Sequence, residues 1–242
     1  TDTVYPTCIN AGYTEHFCAC GESYRDGYTA ALGHNYVNGV CSRCGNVEGT
    51  CDGGDACPSK PYHDVDTGRW YHEGVDYAIA HGLMNGVGNG MFEPESSMTR
   101  AMLVTVLYRI AGEPSVKGTA PFRDVEKNSW YTNAVIWAYQ NNVTNGVSAT
   151  EFAPEENVTR EQMVAFFARY AKLAGVDTSA TGSLSAFVDA SSVSAYAVPA
   201  MTWAVSVGLI NGVGENKLDP TGNSTRGQVA TVIVRYATLV QH

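Results

Sequence analysis

Apolar positions divide the 242-residue chain into two unlike parts. In the larger, C-terminal part they recur three and four apart. Leu103, Val106, Leu107 and Ile110 form one such stretch; Met163, Phe166, Phe167 and Tyr170 a second; Val229, Val232, Ile233 and Tyr236 a third. That i, i+3, i+4, i+7 spacing gives a helix one buried face. A shorter helix is predicted ahead of each, around Val75, Tyr77 and Ala78, around Val135, Trp137 and Ala138, and around Met201, Trp203 and Ala204. These should end near Gly82, Asn142 and Gly208, as helix C-termini do. Before residue 51 the period is lost. Short polar-aromatic stretches are broken there by Asn10-Ala11-Gly12, Cys20-Gly21, Gly33, Asn38-Gly39 and Cys44-Gly45, which predicts small β-hairpins with almost no helix.

The helical part repeats its own text. Thr99-Arg100, Thr159-Arg160 and Thr225-Arg226 each open a long helix, at steps of 60 and 66 residues. Ahead of each pair lies Asn-Gly-Val, beginning at Asn85, Asn145 and Asn211, then Phe92, Phe152 or Leu218, then a proline two residues on. Each unit is entered through an aromatic-x-Asp triplet ending at Asp64, Asp124 or Asp189. Such repetition means one supersecondary unit used three times, each incomplete until its neighbours cover its apolar face. The expected fold is mainly α, a pseudo-threefold bundle of three helix-loop-helix repeats preceded by a small Cys-rich β-hairpin module. The boundaries read as a module at 1–50, a linker at 51–61, and repeats at 62–114, 122–177 and 187–239.

Composition narrows the function. With 44% hydrophobic and 16% charged residues the chain is an ordinary globular one. A net charge of −9 gives nucleic-acid binding no electrostatic support. No stretch approaches the roughly 18 apolar residues that span a bilayer, so membrane insertion is not expected. No basic-then-apolar leader is visible, and the start at Thr1 reads as a mature secreted product or the C-terminal piece of something longer. Nothing catalytic emerges: there is no Gly-rich phosphate loop, His-Glu-x-x-His or Gly-x-Ser-x-Gly, and no histidine recurs in the repeats. The expectation is a non-enzymatic protein without cofactor.

The Thr-Arg pairs are the leading site candidates. Threonine is a good N-cap, and Gln162 and Gln228 complete capping boxes that Met102 leaves half made. The arginines are harder to place, because a cation at the positive end of a helix dipole is unfavourable by about 0.3–1 kcal/mol. Either an anionic ligand gathers the arginine, the free helix amides and the dipole, or each arginine pairs with an acid such as Asp64, Asp124 or Asp189. Trp70, Trp130 and Tyr196 sit at equivalent helix starts, where an aromatic face could stack on a sugar; Trp137 and Trp203 fall at core positions.

The repeat text Phe122-x-Asp124-Val125, Trp130-Tyr131, Ala134-Val135, Asn145-Gly146, Phe152-x-Pro154 and Val158-Thr159-Arg160-Glu161-Gln162 resembles the S-layer homology domain, in three copies over about residues 62–239. The resemblance implies an extracellular anchor at the bacterial surface. Its implied ligand is an anionic secondary cell-wall polysaccharide, often bearing a pyruvate ketal, held in grooves between repeats. It also implies Arg100, Arg160 and Arg226 as anion ligands, Asp64, Asp124 and Asp189 orienting sugar or arginine, and Trp70 and Trp130 as walls. Gly86, Gly146 and Gly212 would let the loop approach closely. Repeat three departs from the pattern with Tyr196 for tryptophan and an extra residue after Asp189, so unequal grooves are expected, with that of Arg160 the strongest. The alternative function is a structural subunit that assembles with copies of itself into a layer or filament.

All seven cysteines lie in the first 57 residues. The N-terminal segment is similar to small Cys-rich repeats of bacterial surface proteins. Cys18, Cys20, Cys41 and Cys44 fit either disulfides, which a secreted location favours, or a zinc knuckle. Cys51 and Cys57 bracket a tight turn and are expected to form a disulfide.

Overall fold

The structure, a computed structural model, describes residues 1–19, 21–33, 35–37, 40–43, 51, 53–179 and 182–240. The turns expected at Asn38-Gly39 and Cys44-Gly45, together with Cys20 and the Cys41 side chain, lie outside the described residues.

The N-terminal segment is a meander of β1 (Asp2–Val4), β2 (Gly12–Phe17) and β3 (Ser23–Thr29), followed by the short hairpin of β4 (Tyr36–Val37) and β5 (Val40–Cys41). Cross-strand pairs help to hold the meander. Glu15 faces Arg25 with a 3.0 Å ion pair, and His16 stacks on Tyr24 at 4.6 Å. Arg25 also lies over the Tyr13 ring at 4.4 Å. Every residue of β3 is exposed. A sheet this thin needs a cross-link, and Cys18 is disulfide-bonded. That bond removes Cys18 from the zinc alternative.

Among the described residues six α-helices follow: α1 (His72–Ala80), α2 (Arg100–Ile110), α3 (Thr132–Gln140), α4 (Arg160–Leu173), α5 (Val198–Ser206) and α6 (Arg226–Val240). The repeat region is therefore mainly helical, and the small antiparallel sheet lies at the N-terminus. The predicted stops are real. Gly82, Asn142 and Gly208 all adopt left-handed backbone, and in repeat one Gly82 and Leu83 donate back to the Ile79 and Ala78 carbonyls, a Schellman closure. The extra residue of repeat three is taken up by a 3-10 turn at Ala190–Ser192.

Each short helix packs on a long helix of another repeat: α1 on α6, α3 on α2, and α5 on α4. The α1–α6 contact is close, because a Cβ on Gly74 would lie 2.7 Å from the Ala230 backbone. Buried side chains from all three repeats merge into one core, including Leu103, Phe167, Ile233, Trp137 and Trp203. At its centre the segments before the long helices hydrogen-bond in a closed ring. Met98 donates to the Ser224 carbonyl (2.9 Å), Ser224 to Val158 (2.8 Å) and Val158 to Met98 (2.9 Å).

Residues 51–61 do not form a free spacer. Cys57 and Ser59 are buried against α1. The expected Cys51–Cys57 disulfide is not formed; both are free thiols. The Cys57 sulfur turns instead toward Ser59, His72 and Asp76.

Candidate functional site

The first amides of the long helices, which one of the two readings leaves free for an anion, are already bonded within the protein. Thr99, Thr159 and Thr225 cap through Oγ1 the third amide of their helices, at 3.2–3.3 Å. The first two amides are taken by the loop of the following repeat. Arg100 and Ala101 donate to the Glu156 and Pro154 carbonyls, and Arg160 and Glu161 to Gly222 and Pro220. Arg226 and Gly227 close the cycle on Ser96 and Pro94 of repeat one. The prolines in the repeated text thus supply carbonyls to a neighbouring helix. The residue before each proline (Glu93, Ala153, Asp219) is left-handed without being glycine, a strained geometry present in all three loops.

The arginine side chains follow the same cyclic path. Arg100 Nε donates to the Phe152 carbonyl, Arg160 Nε to Leu218 and Arg226 Nε to Phe92, each at 2.8 Å. The aspartates hold the other side of the same loops. Asp64 accepts the Phe92 and Glu93 amides, Asp124 those of Phe152 and Ala153, and Asp189 those of Leu218 and Asp219, at 2.6–3.1 Å. Both carboxylate oxygens thereby accept from backbone, so these aspartates orient the loops. Each Asp–Arg couple is bridged by a peptide group, with the carboxylate on its N–H and the guanidinium on its C=O. Neither sequence reading anticipated this. Burial pushes all three arginine pKa values down, while the Glu156 and Asp124, Asp219 and Asp189, and Glu93 and Asp64 charges respectively push back.

Gly86, Gly146 and Gly212 also serve the loops. A Cβ at Gly86 would lie 2.2 Å from the Tyr62 ring, at Gly146 2.4 Å from the Glu151 carbonyl, and at Gly212 2.9 Å from the Lys217 carbonyl. The bare face of each glycine is filled by its own repeat. Of the tryptophans, Trp70 and Trp130 are more than half exposed, each edge-on to the next tyrosine, while Trp137 and Trp203 are in the core.

The three arginine environments are unequal. Arg100 lies over the Phe152 and Phe166 rings and Arg226 over Phe92, at 4.6–5.4 Å. Arg160 meets Leu218 where those two meet a phenylalanine, and here a cleft of about 400 Å³ opens. Trp70 of repeat one, Arg160 of repeat two, and Asn211–Val213, Gln228, Thr231 and Arg235 of repeat three line it. The wall beside Arg160 is thus Trp70, not Trp130 of its own repeat. Arg160 lines this cleft although it is only 4% exposed, and its Nη1 and Nη2 donate to the Gln228 side chain and the Asn211 carbonyl at 3.3 and 3.4 Å. A smaller hollow of about 190 Å³ holds Tyr196 and Arg169. Its tyrosine hydroxyl is tied to buried Glu161 at 3.2 Å. Arg235 was missed by sequence reasoning. Its signal was available, since Arg109, Arg169 and Arg235 stand at one offset from the Thr-Arg pairs and each donates to a carbonyl just past a short helix.

The surface-layer 125 kDa protein of Lysinibacillus sphaericus is 34% identical over 67% of this chain, an endoglucanase of Bacillus sp. (strain KSM-635) 31% over 72%, and an S-layer protein of Bacillus thuringiensis subsp. finitimus 25% over 74%. The matches cover 14%, 18% and 22% of those proteins, so the chain corresponds to a minor part of each. The surface-layer relatives point to an extracellular, cell-surface location. No helix among the described residues is long and apolar enough to cross a membrane. The family profile of the S-layer homology domain matches residues 61–101, 121–164 and 186–230, more than half of the chain, and the protein belongs to that family as three tandem repeats.

Proposed function

We propose that the three repeats act as one pseudo-threefold bundle that anchors the chain to the cell envelope without catalysis, by binding an anionic secondary cell-wall polysaccharide. The observation that carries this reading is the cleft shared by Trp70, Arg160 and Arg235. Two guanidinium groups suit a carboxylate such as that of a pyruvate ketal, and an exposed indole edge-on to Tyr71 offers a stacking face for a sugar ring. Arg100 and Arg226, each covered by a phenyl ring, act mainly in holding their loops. On this reading the chain is organised as a Cys-rich module at 1–50, a docked segment at 51–61 and repeats at 62–114, 122–177 and 187–239.

The test is co-sedimentation of the full chain with purified cell-wall sacculi, before and after the secondary polysaccharide is stripped. Stripping should abolish binding; equal sedimentation with bare peptidoglycan would sink the reading. Arg160→Ala should weaken glycan binding by about 1.5–3 kcal/mol through loss of a charge-assisted bond. Because Arg160 also holds the Leu218 loop, Trp70→Ala is the cleaner variant. It should cost about 1 kcal/mol of glycan affinity with the melting temperature unchanged.

The edges of the β1–β2–β3 sheet, which pair with no further strand among the described residues, and the exposed Phe17, Tyr24 and Tyr28 favour a second reading in which copies of the chain assemble into a layer or filament. Electron microscopy of concentrated protein with and without reductant separates the two. A particle that stays monomeric at every concentration would remove this alternative.

A further inference from the structure

The segment joining the Cys-rich module to repeat one carries chemistry that glycan binding does not use. Cys51, Cys57, His72 and Asp76 bring two sulfurs, an imidazole nitrogen and a carboxylate oxygen within 4.8 Å of one another. His72 and Asp76 stand one helical turn apart on α1 and so share a face. The two cysteines come from the turn packed on that face. Gly53 makes the turn with left-handed backbone (φ +77°), and a Cβ there would strike Thr67 Cγ2 at 2.6 Å. Cys57, His72 and Asp76 are buried; Cys51 is exposed and closes the set from the solvent side.

The spacing of these groups is informative. Cys57 Sγ lies 3.4 Å from His72 Nε2 and 3.4 Å from Asp76 Oδ1, and His72 Nε2 lies 3.5 Å from Asp76 Oδ2. Nitrogen–oxygen hydrogen bonds run at about 2.7–3.2 Å, so the histidine and aspartate face each other without bonding well. Around zinc, with bonds of about 2.0 Å to nitrogen or oxygen and about 2.3 Å to sulfur, the edges of a ligand tetrahedron are about 3.3–3.8 Å. The three separations among Cys57, His72 and Asp76 match those edges, and the Cys51 sulfur lies within 4.8 Å of the other three ligand atoms. The surroundings are built to hold the ligands. The Ser59 amide fixes Asp76 Oδ1 at 2.9 Å, and the Gly53 backbone amide bonds the Cys51 sulfur.

We propose that Cys51, Cys57, His72 and Asp76 form a structural zinc site that staples the segment after the Cys-rich module to the first helix of repeat one. Two sulfurs with an imidazole select zinc over magnesium or calcium, and four protein ligands leave no open position for catalysis. Zn²⁺ displaces the two thiol protons to solvent and leaves His72 neutral and Asp76 ionised. The site begins two residues after Trp70, so it also steadies the helix start that carries this indole.

The test uses the full chain, kept reduced, with Zn²⁺ and Co²⁺ as the probes. One zinc per chain should bind against a competing chelator, Zn²⁺ should raise the melting temperature, and Co²⁺ should give thiolate-to-metal charge-transfer absorption. Cys51→Ser and Asp76→Asn should each weaken zinc binding by about 100-fold or more and remove the thermal shift. Cys51 is exposed, so that variant keeps the fold and the result stays readable even where Asp76→Asn unfolds. Equal zinc affinity in wild type and Cys51→Ser would overturn the proposal. So would recovery of Cys51 and Cys57 as a disulfide from the native secreted protein.

Discussion

At the scale of single residues, a peptide group stands between unlike charges in each repeat, as where the Phe92–Glu93 unit takes Asp64 on one side and Arg226 on the other. Removing either charge leaves its partner's bonds in place but strips the polarisation that strengthens them. Asp189 gives this a pH signature. Burial opposes its ionisation, yet the Leu218 and Asp219 amides outweigh that and hold its carboxyl below the usual 3.8. A depressed folded-state pKa contributes stability that is present above 3.8 and lost as pH falls through the shifted value. Asp189→Asn should therefore melt at lower temperature than wild type at neutral pH, with the gap narrowing below that value; a gap constant across pH would contradict it. Ser224 is the opposite case. Its backbone belongs to the central ring, but its hydroxyl is buried without a hydrogen-bond partner among the described residues, where the other repeats place Met98 and Val158. Ser224→Ala should raise unfolding stability by about 1 kcal/mol, read as a higher denaturant midpoint at unchanged slope.

At the scale of elements, the long helices show what can be read from a sequence and what cannot. Leu103, Met163 and Val229 are buried where the period placed them, and the caps at Thr99, Thr159 and Thr225 are formed, because both depend on residues within one turn of each other. The partners of Arg100, Arg160 and Arg226 could not be read the same way. They are backbone carbonyls 52, 58 and 134 residues away, and a carbonyl carries no sequence signature. Trp70 was legible as an exposed aromatic at a helix start, but pairing it with Arg160 required knowing that α1 packs on α6. The turn at Cys51–Cys57 was legible, its thiols' neighbours on α1 were not. One repeat is also incomplete in a way that can be repaired. Gln162 and Gln228 each return a bond to their capping threonine and accept one from the preceding repeat's arginine, Arg100 or Arg160. Met102 holds that position in repeat one and does neither. Met102→Gln should add about 0.5–1 kcal/mol by completing the box and meeting Arg226. Introducing Arg226→Lys in the same chain should remove part of the gain, measured as non-additive shifts in a double-mutant cycle.

At the scale of the whole molecule, each repeat gives its arginine and helix amides to the next, and the last gives them to the first. No repeat is therefore terminal, unlike the end units of an open array, which need polar caps. A chain ending at residue 186 would lose α6 and uncover Val75 and Ala78 on α1 as well as the Phe92 loop. Such a chain should lose its cooperative unfolding transition, with fast amide exchange in α1 and α2; retention of slow exchange there would show that two repeats suffice. The closed path also fixes a number. A head-to-tail contact that returns to its start after three steps behaves like the interface of a cyclic trimer, whether or not the units share one chain. Every repeat carries both halves of that contact, as repeat two does with Arg160 as donor and the Phe152 loop as acceptor. Three copies of it hold what is needed to find one another, but only at concentrations high enough to offset the lost freedom of three separate bodies. Joining the units covalently replaces that requirement with a fixed local concentration, so the ring stays closed at a dilution where free repeats would drift apart.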